Sequence, residues 1–243
     1  VWEDDGRIVA VCHPEWFPGE AFFQAHPEYQ HLKPELLRHA EELLFGRDEH
    51  GAFLRAWVRD TDADLRSLVL RRGFQPDPVQ DRPLFGMDLS CPDDPKLAYD
   101  LLPGYRVQSL ADENSLEKMH RVLWRGFNHP GAPPEDGIED RKIMQSGPNF
   151  RTDLTMVTVA PNGDWAAFCG TWLEAQNGFG YVEPVATDPD YRRMGLGRAA
   201  VLEGIRRCAA EGASVAYVGS DQQFYQALGF RKVNVEEAWL KRF

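Results

Sequence analysis

Between Tyr181 and Glu211 the sequence commits to one local geometry. A strand-like run, Tyr181 to Thr187, passes through Asp188-Pro189-Asp190-Tyr191-Arg192-Arg193-Met194 into Gly195-Leu196-Gly197-Arg198. The helix that follows, Leu196 to Glu211, places Val201, Ile205, Cys208 and Ala209 at i, i+4, i+7 and i+8, a core-facing stripe, and stops at Gly212. Glycines in the first turn let a ligand approach the main chain. The unpaired N–H groups of the helix start, with its positive dipole end, favour an anion. Such a strand, turn and helix is a phosphate cradle.

Gly195-Leu196-Gly197-Arg198-Ala199-Ala200 also satisfies the G-x-G-x-x-A dinucleotide fingerprint, with Asp221 at a tolerable distance. In that fold the first glycine leaves the strand directly, whereas here Asp188 to Met194 intervenes. The preceding segments, Leu154 to Ala160 and Trp165 to Leu173, are joined by Pro161-Asn162-Gly163-Asp164, a hairpin signal for antiparallel strands. Too little chain follows Asp221 for further βαβ units. The dinucleotide reading is rejected.

Arg192-Arg193-Met194-Gly195-Leu196-Gly197 resembles the Gln/Arg-x-x-Gly-x-Gly/Ala turn of the GNAT superfamily of acyl-CoA-dependent N-acyltransferases. About thirty residues on, Phe224-Tyr225-Gln226-Ala227-Leu228-Gly229-Phe230 is similar to a second family mark, an aromatic helix ending in Tyr-x-x-x-Gly-Phe. The resemblance covers roughly Tyr105 to Phe243. It implies an α/β (α+β) fold, a mixed, mostly antiparallel sheet flanked by helices, and acetyl-CoA as co-substrate.

A second copy of the pattern lies upstream. Gly6 to Cys12 parallels Gly163 to Cys169, His26-Pro27-Glu28-Tyr29 parallels Asp188-Pro189-Asp190-Tyr191, and Leu70-Arg71-Arg72-Gly73-Phe74 mirrors Gln226 to Phe230. Tandem similarity predicts two domains of one fold. Residues 1–90 form the degenerate one, 91–104 a linker with Pro92, Pro95 and Pro103, and 105–243 the catalytic domain; the linker region begins around Ser90. Where the downstream half has Gly195 and Gly197, the upstream half has Lys33 and Glu35 around Pro34. Side chains block close approach there, Glu35 repels phosphate and Pro34 removes a donor. Val69 stands in place of Tyr225. The upstream half also begins at about the third strand of the fold: either its opening portion was lost, or the chain, which starts with Val1, is a piece of a longer one.

Downstream, the expected elements are a strand at Tyr105 to Ser109, a helix from Asp112 or Glu113 to Trp124, a helix at Asp140 to Ser146, three meandering strands ending at Thr187, a strand at Val215 to Gly219, a helix at Asp221 to Leu228 and two closing strands.

The resemblance assigns the chemistry. Arg192, Arg193, Met194, Gly195, Leu196, Gly197 and Arg198 are expected at the pyrophosphate. Val185, Ala186 and Thr187, on a strand interrupted by Pro184, are expected along pantetheine, with a main-chain N–H near Val185 at the oxyanion. Acyl transfer to an amine needs two proton movements, for which Tyr225 is the expected acid and Glu183 the base, its pKa raised by burial. Trp124, Phe127 and His129 are expected at the acceptor. Asn128 shares their loop; His120, Glu174 and Asp221 carry no supporting motif, and Val218 stands where the family often has asparagine. Cys169 and Cys208 fall on apolar faces and are expected in the core.

The resulting expectation is an N-acetyltransferase acting by direct attack of a small-molecule primary amine; the alternative is a non-catalytic acyl-CoA-binding regulatory module. The formal charge of −11 argues against nucleic acid and suits a cationic substrate. No apolar run approaches the ~20 residues of a membrane span. Four cysteines, Cys12, Cys91, Cys169 and Cys208, lack metal-ligand spacing, so no metal and a cytoplasmic location are expected.

Overall fold

The computed structural model describes residues 1–15, 17–79, 81–89 and 91–243. Ser90, at the expected start of the linker, lies outside them. The chain forms two compact units, residues 1–84 with 232–243, and residues 85–231.

In the first unit, strands β1 (Trp2–Asp4), β2 (Arg7–His13), β3 (Glu20–Ala25), β5 (Gly51–Arg59) and the last strand β13 (Arg231–Arg242) are neighbours in that order. Strand β4 (Gly46–Asp48) adds to β5, and β6 (Gln75–Pro76) to β13. Only β3 and β5 run parallel. Helices α1 (Lys33–Leu43) and α2 (Ala63–Arg71) bury Leu36, Leu37, Ala40, Leu65 and Val69 against Ala21, Leu54, Ala56, Val58 and Trp239. Because side chains alternate along a strand, Phe22, Trp57 and Ala238 form a separate cluster.

The second unit orders its strands β7 (Arg82–Asp88, from Phe85), β12 (Val215–Val218), β11 (Phe179–Thr187), β10 (Trp165–Glu174), β9 (Met156–Val159) and β8 (Arg106–Ser109). All neighbours are antiparallel except β11 and β12. Both faces of this sheet are covered. Met156, Cys169 and Val182 pack with Val201 and Ile205 of α5 (Leu196–Ala210) and Leu228 of α6 (Gln223–Leu228), while Val157 and Phe168 pack with Met119 and Leu123 of α3 (Leu116–Gly126). This explains why β9 and the start of β10 read as continuous apolar runs rather than alternating ones. The remaining helix is α4 (Gly137–Gln145).

The expected fold class holds, with corrections. Residues 85–88 pair with β12 and residues 232–242 pair in the first unit, so the compact units are not 1–90 and 105–243. The stretch expected as a bare linker carries a 3-10 turn, Pro95–Leu97, whose Leu97 is buried in the core beside α5. The two closing strands are one, because Glu236 and Glu237 pair with Arg59 and Val58 without a break. Helix α3 starts later than expected: Asp112 accepts hydrogen bonds from the Ser109 N–H and hydroxyl, and Ser115 is the cap, accepting from the Lys118 N–H at 3.2 Å.

The repeat is visible in hydrogen bonds. His26 and Asp188 each accept from the N–H two residues on, and the Tyr29 and Tyr191 N–H groups reach the carbonyls of His26 and Asp188 at 2.8 and 2.9 Å. After α2 and α6, the Phe74 N–H bonds the Val69 carbonyl at 3.0 Å and the Phe230 N–H the Tyr225 carbonyl at 3.1 Å. The first unit has no counterparts of α3 and α4 among its described residues.

Candidate active site

The site is built where two parallel strands part. Strands β11 and β12 pair only from Phe179 to Tyr181 against Val215 to Tyr217, after which β11 continues alone on that side. On its other side, Val182 lies opposite Thr171 but Val185 lies opposite Cys169, so Glu183 and Pro184 together face Gly170 as a bulge. The Glu183–Pro184 peptide is cis. Beyond it, Val185, Ala186 and Thr187 line a cleft of about 830 Å³.

The glycine turn closes one end of this cleft. Gly195, the N-cap of α5, has φ +77° and carries no side chain to cap the helix. The first internal bond runs from the Ala199 N–H to the Gly195 carbonyl at 3.0 Å, which leaves the preceding amides of the turn open. Gly197 is required by contact: a Cβ there would lie 2.6 Å from the Thr187 hydroxyl oxygen, so its absence lets α5 start against the end of β11. Arg193, Gly195, Leu196, Gly197 and Arg198 all line the cleft. Met194 does not; it packs on Ala166, Ala167 and Leu196.

Arg192 borders the cleft with its Nε and Nη2 donors already engaged. Its Nε donates to the Thr187 carbonyl at 3.2 Å and its Nη2 to the Gly126 carbonyl at 2.9 Å and Asn128 Oδ1 at 2.8 Å. The upstream counterpart makes the same first bond: Gln30 Nε2 donates to the Ala25 carbonyl, at the end of β3, at 2.9 Å. The first residue of the turn therefore ties it to its strand in both halves. A further tie was invisible in the sequence. The fully buried carboxylate of Asp188 accepts from Arg125 of α3 at 2.7 and 3.0 Å, with Arg121 at 3.3 Å. Burial pushes this carboxyl up, but the bonds from Arg125 and the Asp190 N–H and the charge of Arg121 outweigh it and hold it below the usual carboxylate range.

Tyr225 lies on the same cleft, 7% exposed. Burial pushes its hydroxyl well up, with Cys169, Glu183 and Tyr181 adding to the effect, so it stays protonated through the neutral range. Glu183 sits near enough to act on Tyr225, yet its side chain is exposed and outside the cleft lining, so the burial expected of it is absent. Cys169 and Cys208 are buried, and burial pushes both thiols up to about 12.

Trp124 and His129 lie instead on a neighbouring cavity of about 420 Å³, with their rings stacked at 4.4 Å. Phe127 lines both spaces. His120, Asp136, Asp140 and Arg141 complete much of that second lining. Of these only His120 was considered from sequence; an α4 that begins three residues earlier than its apolar pattern suggested brings in the rest.

Residues 116–230, which hold the turn, the parted strands and the Tyr225 helix, match the Acetyltransferase (GNAT) family. This segment belongs to the GNAT family. Two relatives share the name mycothiol acetyltransferase. That of Kineococcus radiotolerans is 33% identical over 107 residues, 41% of this chain and 34% of the relative. That of Streptomyces avermitilis is 27% identical over 192 residues, 74% of this chain and 59% of the relative. The chain thus spans less than two thirds of either relative's length. Among solved structures, a GCN5-related N-acetyltransferase from Sphaerobacter thermophilus aligns with a TM-score of 0.68 at 16% identity, over 98% of this chain and 78% of its own. A tandem GNAT protein from the clavulanic acid biosynthesis pathway gives 0.67 at 16% identity, over 98% and 80%. At that identity the likeness establishes the GNAT fold alone. The unit bearing the site, like those folds, has a mixed, mostly antiparallel sheet flanked by helices.

Proposed function

We propose that the chain transfers an acetyl group from acetyl-CoA to a primary amine of a small molecule. The observation that carries this reading is the junction of β11 and α5: an αL glycine and a glycine in contact with Thr187 leave main-chain amides open to the cleft that Tyr225 also lines. The pyrophosphate of CoA takes those amides, with Arg193 and Arg198 supplying charge. Arg192 serves by fixing the turn. The pantetheine arm runs along Val185 to Thr187, on the side β12 leaves unpaired.

The neutral amine attacks the thioester carbon, the adduct nitrogen gives up a proton to water, the carbon–sulfur bond breaks, and Tyr225 gives its proton to the departing thiolate and regains one from solvent. The ammonium first loses its proton to water or to Glu183, which as an exposed group exchanges protons with solvent directly. The main chain near Val185 stabilises the oxyanion. The acceptor enters from the cavity of Trp124, Phe127 and His129. Both mycothiol acetyltransferase relatives are named for acetyl transfer, which supports the reaction class. In the first unit the equivalent turn is closed: Lys33 Nζ is held by Asp62 at 2.6 Å and Glu35 by the Trp2 indole at 3.0 Å.

Thiol release from acetyl-CoA across an amine panel tests the reading. Amine-dependent release is expected; tight CoA uptake with no release from any amine would make the chain a binding module instead. No helix among the described residues is long and apolar enough to cross a membrane.

A further inference from the structure

The bulge in β11 is held by one side chain of the neighbouring strand. Val182 pairs with Thr171 and Val185 with Cys169, so Glu183 and Pro184 take no regular place in the ladder opposite Gly170. A main-chain carbonyl dropped from a ladder needs another donor. The Glu183 carbonyl finds it in the indole N–H of Trp172, which donates at 2.7 Å.

Gly170 makes room for this bond. Cys169 and Val182 face the α5 side of the sheet, and alternation places Gly170 and Trp172 on the opposite side, with Phe168. A Cβ on Gly170 would collide with the Glu183 carbonyl oxygen, so that oxygen stands off the sheet over a bare Cα, where the indole meets it. The indole is half-buried and rests edge-to-face against Phe150, with ring centroids 5.8 Å apart and planes at 72°. Phe150, Trp172 and Gly170 together fix one peptide. Directly after that peptide come Val185, Ala186 and Thr187, the β11 residues that line the cleft.

We infer that Trp172 is a positioning residue for the coenzyme: by holding the Glu183 carbonyl over Gly170 it sets the direction in which β11 leaves the bulge, and so the alignment of Val185 to Thr187 with the pantetheine arm. Trp172 is absent from the cleft lining and acts through the strand alone. This inference rests on the proposed path of pantetheine along β11. Its signature is selective, because the pyrophosphate amides belong to the glycine turn, which the Asp188–Arg125 pair anchors separately.

The test is calorimetry with two ligands, coenzyme A and 3′-phospho-ADP, which keeps the pyrophosphate and lacks the pantetheine arm. Trp172→Phe retains a ring against Phe150 and loses the N–H; it is expected to weaken coenzyme A about ten-fold or more and 3′-phospho-ADP by no more than about two-fold. Gly170→Ala displaces the same oxygen with Trp172 intact and should give the same pattern. Because both act through one carbonyl, the double variant should lose no more than about two-fold beyond the worse single variant. Coenzyme A affinity kept within about two-fold in Trp172→Phe, equal losses for both ligands, or additive losses in the double variant overturns the inference and leaves the pyrophosphate site standing. Equal affinity of the native chain for the two ligands overturns the pantetheine path and this inference with it, and uptake of neither overturns the coenzyme site as a whole.

Discussion

Arg125 holds the carboxylate of Asp188 by a two-pronged grip, 2.7 Å from Nε and 3.0 Å from Nη2, with none of the Asp188 side chain exposed. The pair locks the C-terminal turn of α3 to the residue that follows β11, and so sets the position of the glycine turn. Asp188→Ala removes bonds to two arginines that themselves reach solvent, and Arg125 keeps Asp190 as a partner. The variant is expected to cost about 2 kcal/mol and to lower Tm by roughly 4–8 °C. The carboxyl is held low in the folded chain, so its contribution is complete above the unfolded value of about 4 and is lost as pH falls through the lower folded value. Thermal melts between pH 3 and 7 should show an acid-side loss of stability that is smaller in Asp188→Ala.

Arg192 acts as a tie between turn and strand, as Gln30 does upstream. Arg192→Gln should preserve the bond to the Thr187 carbonyl and keep CoA affinity within about three-fold, whereas Arg192→Ala should lose ten-fold or more, near 1.4 kcal/mol. Equal losses in both variants would instead mark the charge as a phosphate contact. Calorimetric Kd values decide.

Tyr225 is buried, protonated and without a hydrogen-bond partner for its hydroxyl among the described residues, as suits a group that gives its proton only when sulfur departs. Tyr225→Phe is expected to reduce kcat by about 10²-fold or more while KM for acetyl-CoA changes little. Glu183→Gln should reduce kcat/KM less, because water has access to the same exposed position. Unaltered kcat in Tyr225→Phe would remove the acid role.

The first unit depends on the far end of the chain. Strand β13 pairs with β5 over seven residues, Glu236 to Arg242, and buries Trp239 in the first unit's core. A chain ending at Arg231 should lose hydrogen-exchange protection across β5, α1 and α2; native-like protection there would contradict this dependence.

The glycine turn, the Tyr225 helix and the internal repeat were legible because each rests on local rules: two glycines at a helix start, a stripe at helical spacing, and a glycine ending each copy. Partner choice was not legible. The sequence assigned no element to Phe85 to Asp88, and only the structure shows them against β12. The prolines at 92, 95 and 103 suggested an open linker, yet Leu97 and the Tyr99 hydroxyl, 3.3 Å from Glu203, tie it to α5. Glu183 looked buried because it lies mid-strand, but a bulge re-aims its side chain to solvent. Arg192 was expected at the pyrophosphate and Asp188 was assigned no role; their partners, Asn128 and Arg125, lie more than sixty residues away.

Titration calorimetry of CoA into the intact chain tests the central claim most directly. One CoA should bind per chain, and Gly197→Val, which drives a side chain toward the Thr187 hydroxyl and away from a tight turn, should weaken it at least ten-fold. No uptake by the native chain, or uptake undiminished in a folded Gly197→Val chain, would contradict the assignment of this turn as the pyrophosphate site.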